Sequence, residues 1–145
     1  MNLFKYKFST SIDRPISLDG YPAEIKVVKE HIDEKKGIIV LKSNNELHFK
    51  GTYSAWRGNI CASVNSGKFT IAEDKGKLLL IYRIEIDHIL VYLTLIGMSI
   101  SIAFYKIWLA GMPLIWLGGM NWFISLVRNN SMMYDIAFEI NQLNK

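Results

Sequence analysis

In this chain of 145 residues, half of them hydrophobic and with a net charge of +4, the first 87 residues are long enough for one small domain with a modest core and too short for two. The charge is mild, lysine outnumbers arginine and no basic tract forms, which argues against a nucleic-acid partner. Cys61 is the only cysteine, so a disulfide framework and a cysteine zinc site are both excluded.

The first 15 residues carry charge but no apolar run of the kind a secretory signal needs, so the N-terminal domain is expected to stay in the cytoplasm. Phe4, Tyr6 and Phe8 alternate with Lys5, Lys7 and Ser9, the period of a strand with one apolar and one wet face. Aromatics interleaved with lysines also suit single-stranded nucleic acid, but one alternating strand is what any half-buried sheet shows. The expectation is therefore no nucleic acid. Asp13-Arg14-Pro15 and Asp19-Gly20-Tyr21-Pro22 are turn chemistry. From Ala23 to Lys36, Ile25, Val28 and Ile32, with Val27 beside them, follow helical spacing; Pro22 and Glu24 suit the first turn and Gly37 the end. His31, on the edge of that stripe, is read as a boundary residue against the sheet, since no second ligand stands at metal spacing.

Strands follow. Ile38 to Lys42, a turn at Ser43-Asn44-Asn45 and the alternation around Leu47 and Phe49 predict a hairpin. Residues 51–58, GTYSAWRG, form an irregular connection in which Tyr53, Trp56 and Arg57 offer a ligand or partner loop. Ile60, Ala62 and Val64, a turn at Asn65-Ser66-Gly67, and then Phe69 and Ile71 predict a second hairpin. After a turn at residues 74–77, Leu78, Leu80, Tyr82, Ile84 and Ile86 line one face of a last strand. Its other face changes from Leu79 and Ile81 to Arg83 and Glu85. The expected fold is α+β: a cytoplasmic domain over residues 1–87 with one helix and a largely antiparallel sheet of about six strands.

Between His88 and Arg128 the only charged side chain is Lys106, so about 40 residues are almost wholly apolar where one membrane-spanning helix needs about 20. This predicts a transmembrane helical hairpin over residues 88–132, turning at Gly111-Met112-Pro113 with spans 88–110 and 113–132, or alternatively at Lys106 with spans 86–104 and 108–128. Lys68, Lys75, Lys77, Arg83 and Arg128 flank the spans, which puts both termini in the cytoplasm of a bacterial inner membrane. Arg83, Asp87, His88 and Arg128 would lie at one membrane interface and Trp108 and Trp116 at the other. Gly97, Ser101, Gly118, Gly119 and Asn121 are the candidate helix–helix contacts, because small residues let backbones approach and an amide in an apolar span needs a partner. Met133, Ile136, Ala137 and Ile140 predict a short C-terminal amphipathic helix over residues 133–145, packing on the sheet or on a partner chain.

No phosphate-binding, dinucleotide, zinc-protease or nucleophile-elbow motif occurs. His31, His48 and His88 are scattered over different elements, so no catalytic, cofactor or metal residue is assigned. The function expected is a non-catalytic accessory, scaffold or assembly subunit, contacting membrane lipids and meeting a protein partner or further copies through the hairpin. A membrane-anchored sensor for a small ligand or lipid headgroup, bound near Trp56 and Arg57, is the alternative.

Overall fold

A computed structural model describes residues 4–13, 15–17, 19–51, 64–86, 88–104 and 111–143. The elements are β1 (Lys5–Ile12), α1 (Pro22–Glu34), β2 (Ile38–Lys42), β3 (Glu46–Lys50), β4 (Val64–Asp74), β5 (Lys77–Ile86), α2 (His88–Ala103), α3 (Met112–Ile115), a π-helical turn (Trp116–Met120) and α4 (Asn121–Gln142). The strands form one antiparallel sheet in the order β1-β5-β4-β3-β2. Side-chain alternation sends Phe8, Leu80, Tyr82, Phe69, Ile71, Leu47 and Phe49 to one face, where α1 and α4 cover them. Phe49, Phe69 and Tyr82 stack at the centre, with the Phe69 and Tyr82 rings 4.0 Å apart and nearly parallel. From α1 come Ile25, Val28 and Ile32, and from α4 Met132, Met133, Ile136 and Ile140, all buried.

The expected membrane hairpin is overturned. Among the described residues no helix is long and apolar enough to cross a membrane. The helix α2 has 16 residues, which at 1.5 Å per residue falls short of a bilayer core about 30 Å thick. The helix α4 is longer, but it carries Arg128, Asp135 and Glu139 and spends its inward face on the sheet. A transmembrane architecture and placement as a multi-pass inner-membrane protein therefore do not follow. Composition misled here because the apolar run does two jobs: half of it pairs α2 with the segment after residue 111, and the rest leads into a core helix. The separate C-terminal helix is also corrected, since α4 runs unbroken from Asn121 to Gln142.

Among the described residues the sheet has five strands. The Asn65-Ser66-Gly67 turn does not form: β4 continues through it, and an irregularity between Val64 and Ser66 absorbs the change of register against β5. Gly67 is glycine because the Phe49 ring lies on it; a Cβ there would sit 2.3 Å from Phe49 Cε1. The expected strand over residues 60–63 lies outside the described residues. The hairpin between β2 and β3 forms, with its own irregularity between Ile39 and Leu41. The turn between β4 and β5 is closed by Lys75 and Gly76 at φ of 53° and 74°, the left-handed pair that matches strand twist. At the end of α1 the left-handed residue is Lys36, not Gly37; the Gly37 amide reaches back to the Ile32 carbonyl at 2.9 Å, closing a Schellman turn.

Candidate functional site

The chain brings its small residues together inside the helix pair. A Cβ on Gly97 would meet the Gly111 carbonyl oxygen and the Ile115 amide at 2.9 Å, and one on Gly111 would meet Gly97 O and Ser101 Oγ at 2.2 Å. These two backbones therefore touch, which only glycine allows on both sides. Gly118 is buried, and Gly119 faces Thr94 of α2, with 3.5 Å from a notional Cβ to Thr94 Cγ2. Asn121, by contrast, is exposed and donates its amide to the Leu117 carbonyl of its own helix at 2.6 Å. Ser99 likewise donates to Leu95 O at 2.9 Å. Gly97, Ser101 and Gly119 are thus contacts of α2 with α3 and the π turn of the same chain.

Away from this seam the same elements leave large apolar side chains bare. Ile102 is 76% exposed, Trp116 68% and Phe123 62%, with Tyr92, Ile96 and Leu117 also exposed. A shallow hollow of about 780 Å³ lies among Met112, Pro113, Trp116 and Met120 and reaches Ile115 and Gly119 at the seam. Singly exposed apolar side chains are ordinary, but a continuous patch of large ones marks a surface that something covers.

The residues assigned from sequence to a common membrane interface do not share one surface. Arg83 stands on the open face of the sheet, whereas Arg128 belongs to α4, the helix that covers the other face. His88, at the start of α2, lies 3.3 Å from a Glu85 carboxylate oxygen and packs edge-on against Phe4 at 4.3 Å. Trp116 is in the π turn. Asp87, Trp108 and the loop residues Tyr53, Trp56 and Arg57 lie outside the described residues. His31 reaches α4, with its Nε2 3.6 Å from a Glu139 carboxylate oxygen.

On the open face, Lys68 donates to Glu46 at 2.8 Å and His48 approaches the same carboxylate at 3.4 Å. The Lys68 hydrogen bond holds the Glu46 carboxyl below its ordinary range, with His48 adding in the same direction against a small desolvation cost. Among the described residues no group of three His, Cys, Asp or Glu side chains is placed to hold a metal ion.

Two arrangements were invisible in the sequence. One is the buried chain in which Tyr82 Oη donates to Asn129 Oδ1 at 2.7 Å while Asn129 Nδ2 donates to Ser125 O at 2.8 Å. The spacing of Ser125, Asn129 and Met132 on one helical face is the one trace of it in the sequence. The other is the cross-strand alignment of basic residues, which needs the register of four strands. No family model, curated protein or solved structure matches the chain.

Proposed function

We propose that the chain is a non-catalytic assembly subunit, and that the exposed apolar side of the α2, α3 and α4 helices is the surface through which it joins a second copy of itself. One observation carries this reading: Ile102 of α2, Trp116 of the π turn and Phe123 of α4 each stand more than half exposed, while the seam between these elements is already filled. Among the side chains named on that face none is charged, so an identical face satisfies it with no matching pattern of charge. Two-fold self-association is also the commonest assembly of soluble chains. Burial of large aromatic and aliphatic side chains is what anchors such contacts.

Light scattering coupled to size exclusion at tens of micromolar should return twice the mass of one chain. The double variant Ile102→Glu, Phe123→Glu should return the single-chain mass with its sheet signal in circular dichroism unchanged. A single-chain mass for the unmodified protein, or an apolar face that takes up detergent or vesicles in place of a second copy, overturns the reading.

A further inference from the structure

The face of the sheet that no described helix covers carries basic side chains in cross-strand register. Lys7 of β1 stands opposite Arg83 of β5, Arg83 opposite Lys68 of β4, and Lys68 opposite His48 of β3. With strands about 4.8 Å apart, this row spans about 14 Å. One step along, Lys5 and Lys50 flank the pair Glu85 and Ser66. Like charges directly opposite one another on a sheet repel, so such a row costs stability as it stands. Glu46 offsets part of that cost at Lys68 and His48. Among the described residues Lys5, Lys7, Lys50 and Arg83 make no ion pair.

The same residues line a cleft of about 410 Å³, walled on its far side by Val40 of the edge strand β2. Of the two carboxylates near the row, Glu85 lines the cleft and Glu46 lies beside it. Glu85 is held by His88 at 3.3 Å and by the Ser66 hydroxyl at 3.4 Å. A long polyanion crossing the face along the strands would meet one of these carboxylates, whereas a short one can stay on the row of Lys7, Arg83 and Lys68. The aromatic side chains of β1 offer no stacking platform here, because Tyr6 and Phe8 point to the opposite face and pack on the core.

We propose that this cleft binds a small organic di- or triphosphate. The Arg83 guanidinium is the fork for two phosphate oxygens, Lys7 and Lys68 are the flanking point charges, and the Val40 wall receives the organic remainder. This site lies on a different surface from the helix face proposed for self-association, so either reading can fail without the other. Glu46 acts as a competitor in it: the carboxylate that holds Lys68 in the empty cleft is displaced when phosphate takes the lysine.

Isothermal titration of the 145-residue chain with inorganic pyrophosphate, at about 150 mM salt to screen diffuse attraction, tests the site. Arg83→Gln and Lys68→Gln should each weaken binding about tenfold or more, as loss of one charge-assisted contact does. Lys26→Gln, on the surface of α1, should leave it unchanged, and Glu46→Gln should strengthen it severalfold, a gain that no loss of folding produces. Absence of pyrophosphate binding overturns the proposal. So does equal binding by all these variants, tighter binding of citrate than of pyrophosphate, or binding confined to a single-stranded oligonucleotide.

Discussion

The phenol of Tyr82 donates a 2.7 Å hydrogen bond to Asn129 Oδ1 across the interface between the sheet and α4, where the asparagine is fully buried. A buried amide without its partner bears the full desolvation cost of the abandoned atom. Replacing Tyr82 by Phe keeps the ring stack with Phe69 and removes only the donor, so urea unfolding should show a loss of about 1–3 kcal/mol. A loss within experimental error would show that the α4 asparagine finds another donor.

Gly67 and Gly76 should respond to alanine for different reasons. At Gly67 the Cβ meets the Phe49 ring, which is itself stacked on Phe69 and Tyr82 and cannot retreat, so overpacking should cost about 1–3 kcal/mol. At Gly76 a Cβ meets nothing within 4 Å, and the cost is only that of the left-handed backbone, about 1 kcal/mol. Equal destabilisation by the two in a denaturant titration would contradict the packing described at Gly67.

Lys36→Gly should stabilise the chain by up to about 1 kcal/mol, because Lys36 holds a left-handed φ of 57° at the end of α1 that glycine adopts without strain. A fall in the melting temperature would mean that contacts of the lysine side chain outweigh its backbone strain.

Gly111 and Gly119 separate the two parts of the helix seam. Gly111→Ala should force α2 and α3 apart and lower stability by about 1–3 kcal/mol, since its Cβ would lie 2.2 Å from Gly97 O. Gly119→Ala makes an ordinary contact at 3.5 Å with Thr94 and gains helix propensity, so thermal unfolding should be unchanged or slightly raised. A large loss at Gly119 would place the tight approach in the π turn.

Acid should weaken the open face through Glu46. Its carboxyl is held below the ordinary value by Lys68, so its contribution is fully present above about pH 4.5, the unfolded value, and is lost as pH falls through the lower folded one. Glu46→Gln should therefore lower stability at pH 7 while leaving it unchanged well below that range, where the parent carboxyl is already protonated. Parallel stability curves for parent and variant down to pH 3 would contradict the pairing.

Much of the domain was legible because local signals agreed with one another. The 3.6-residue spacing of Ile25, Val28 and Ile32 gave α1, and the strict alternation from Leu78 to Ile86 gave β5. Where the reading failed, one sequence pattern was compatible with two environments. Asn65-Ser66-Gly67 has turn composition, but Gly67 is there for the Phe49 ring and β4 passes straight through. The apolar run after His88 resembles a membrane segment because α2 and the elements after residue 111 are apolar both along the seam they share and on the surface they leave exposed. The basic row is a property of register. Lys7, His48, Lys68 and Arg83 are distant in sequence, and nothing local to any of them says they will align.

Among the described residues the strand order leaves β1 and β2 as the two margins of the sheet, each with one row of backbone amides and carbonyls that no described strand pairs. Such margins are templates along which further chains can add, strand upon strand, into fibres. On β1 the deterrent is charge: Lys5 and Lys7 would face their own copies in an antiparallel addition near the same end. On β2, where Ile38, Val40 and Leu41 are exposed and would favour addition, the deterrent is shape. Five residues interrupted by an irregularity at residues 39–41 give an incoming strand no continuous ladder to copy. Lengthening or regularising that strand would remove the barrier, so insertions at this margin convert a folded domain into a seed for polymerisation.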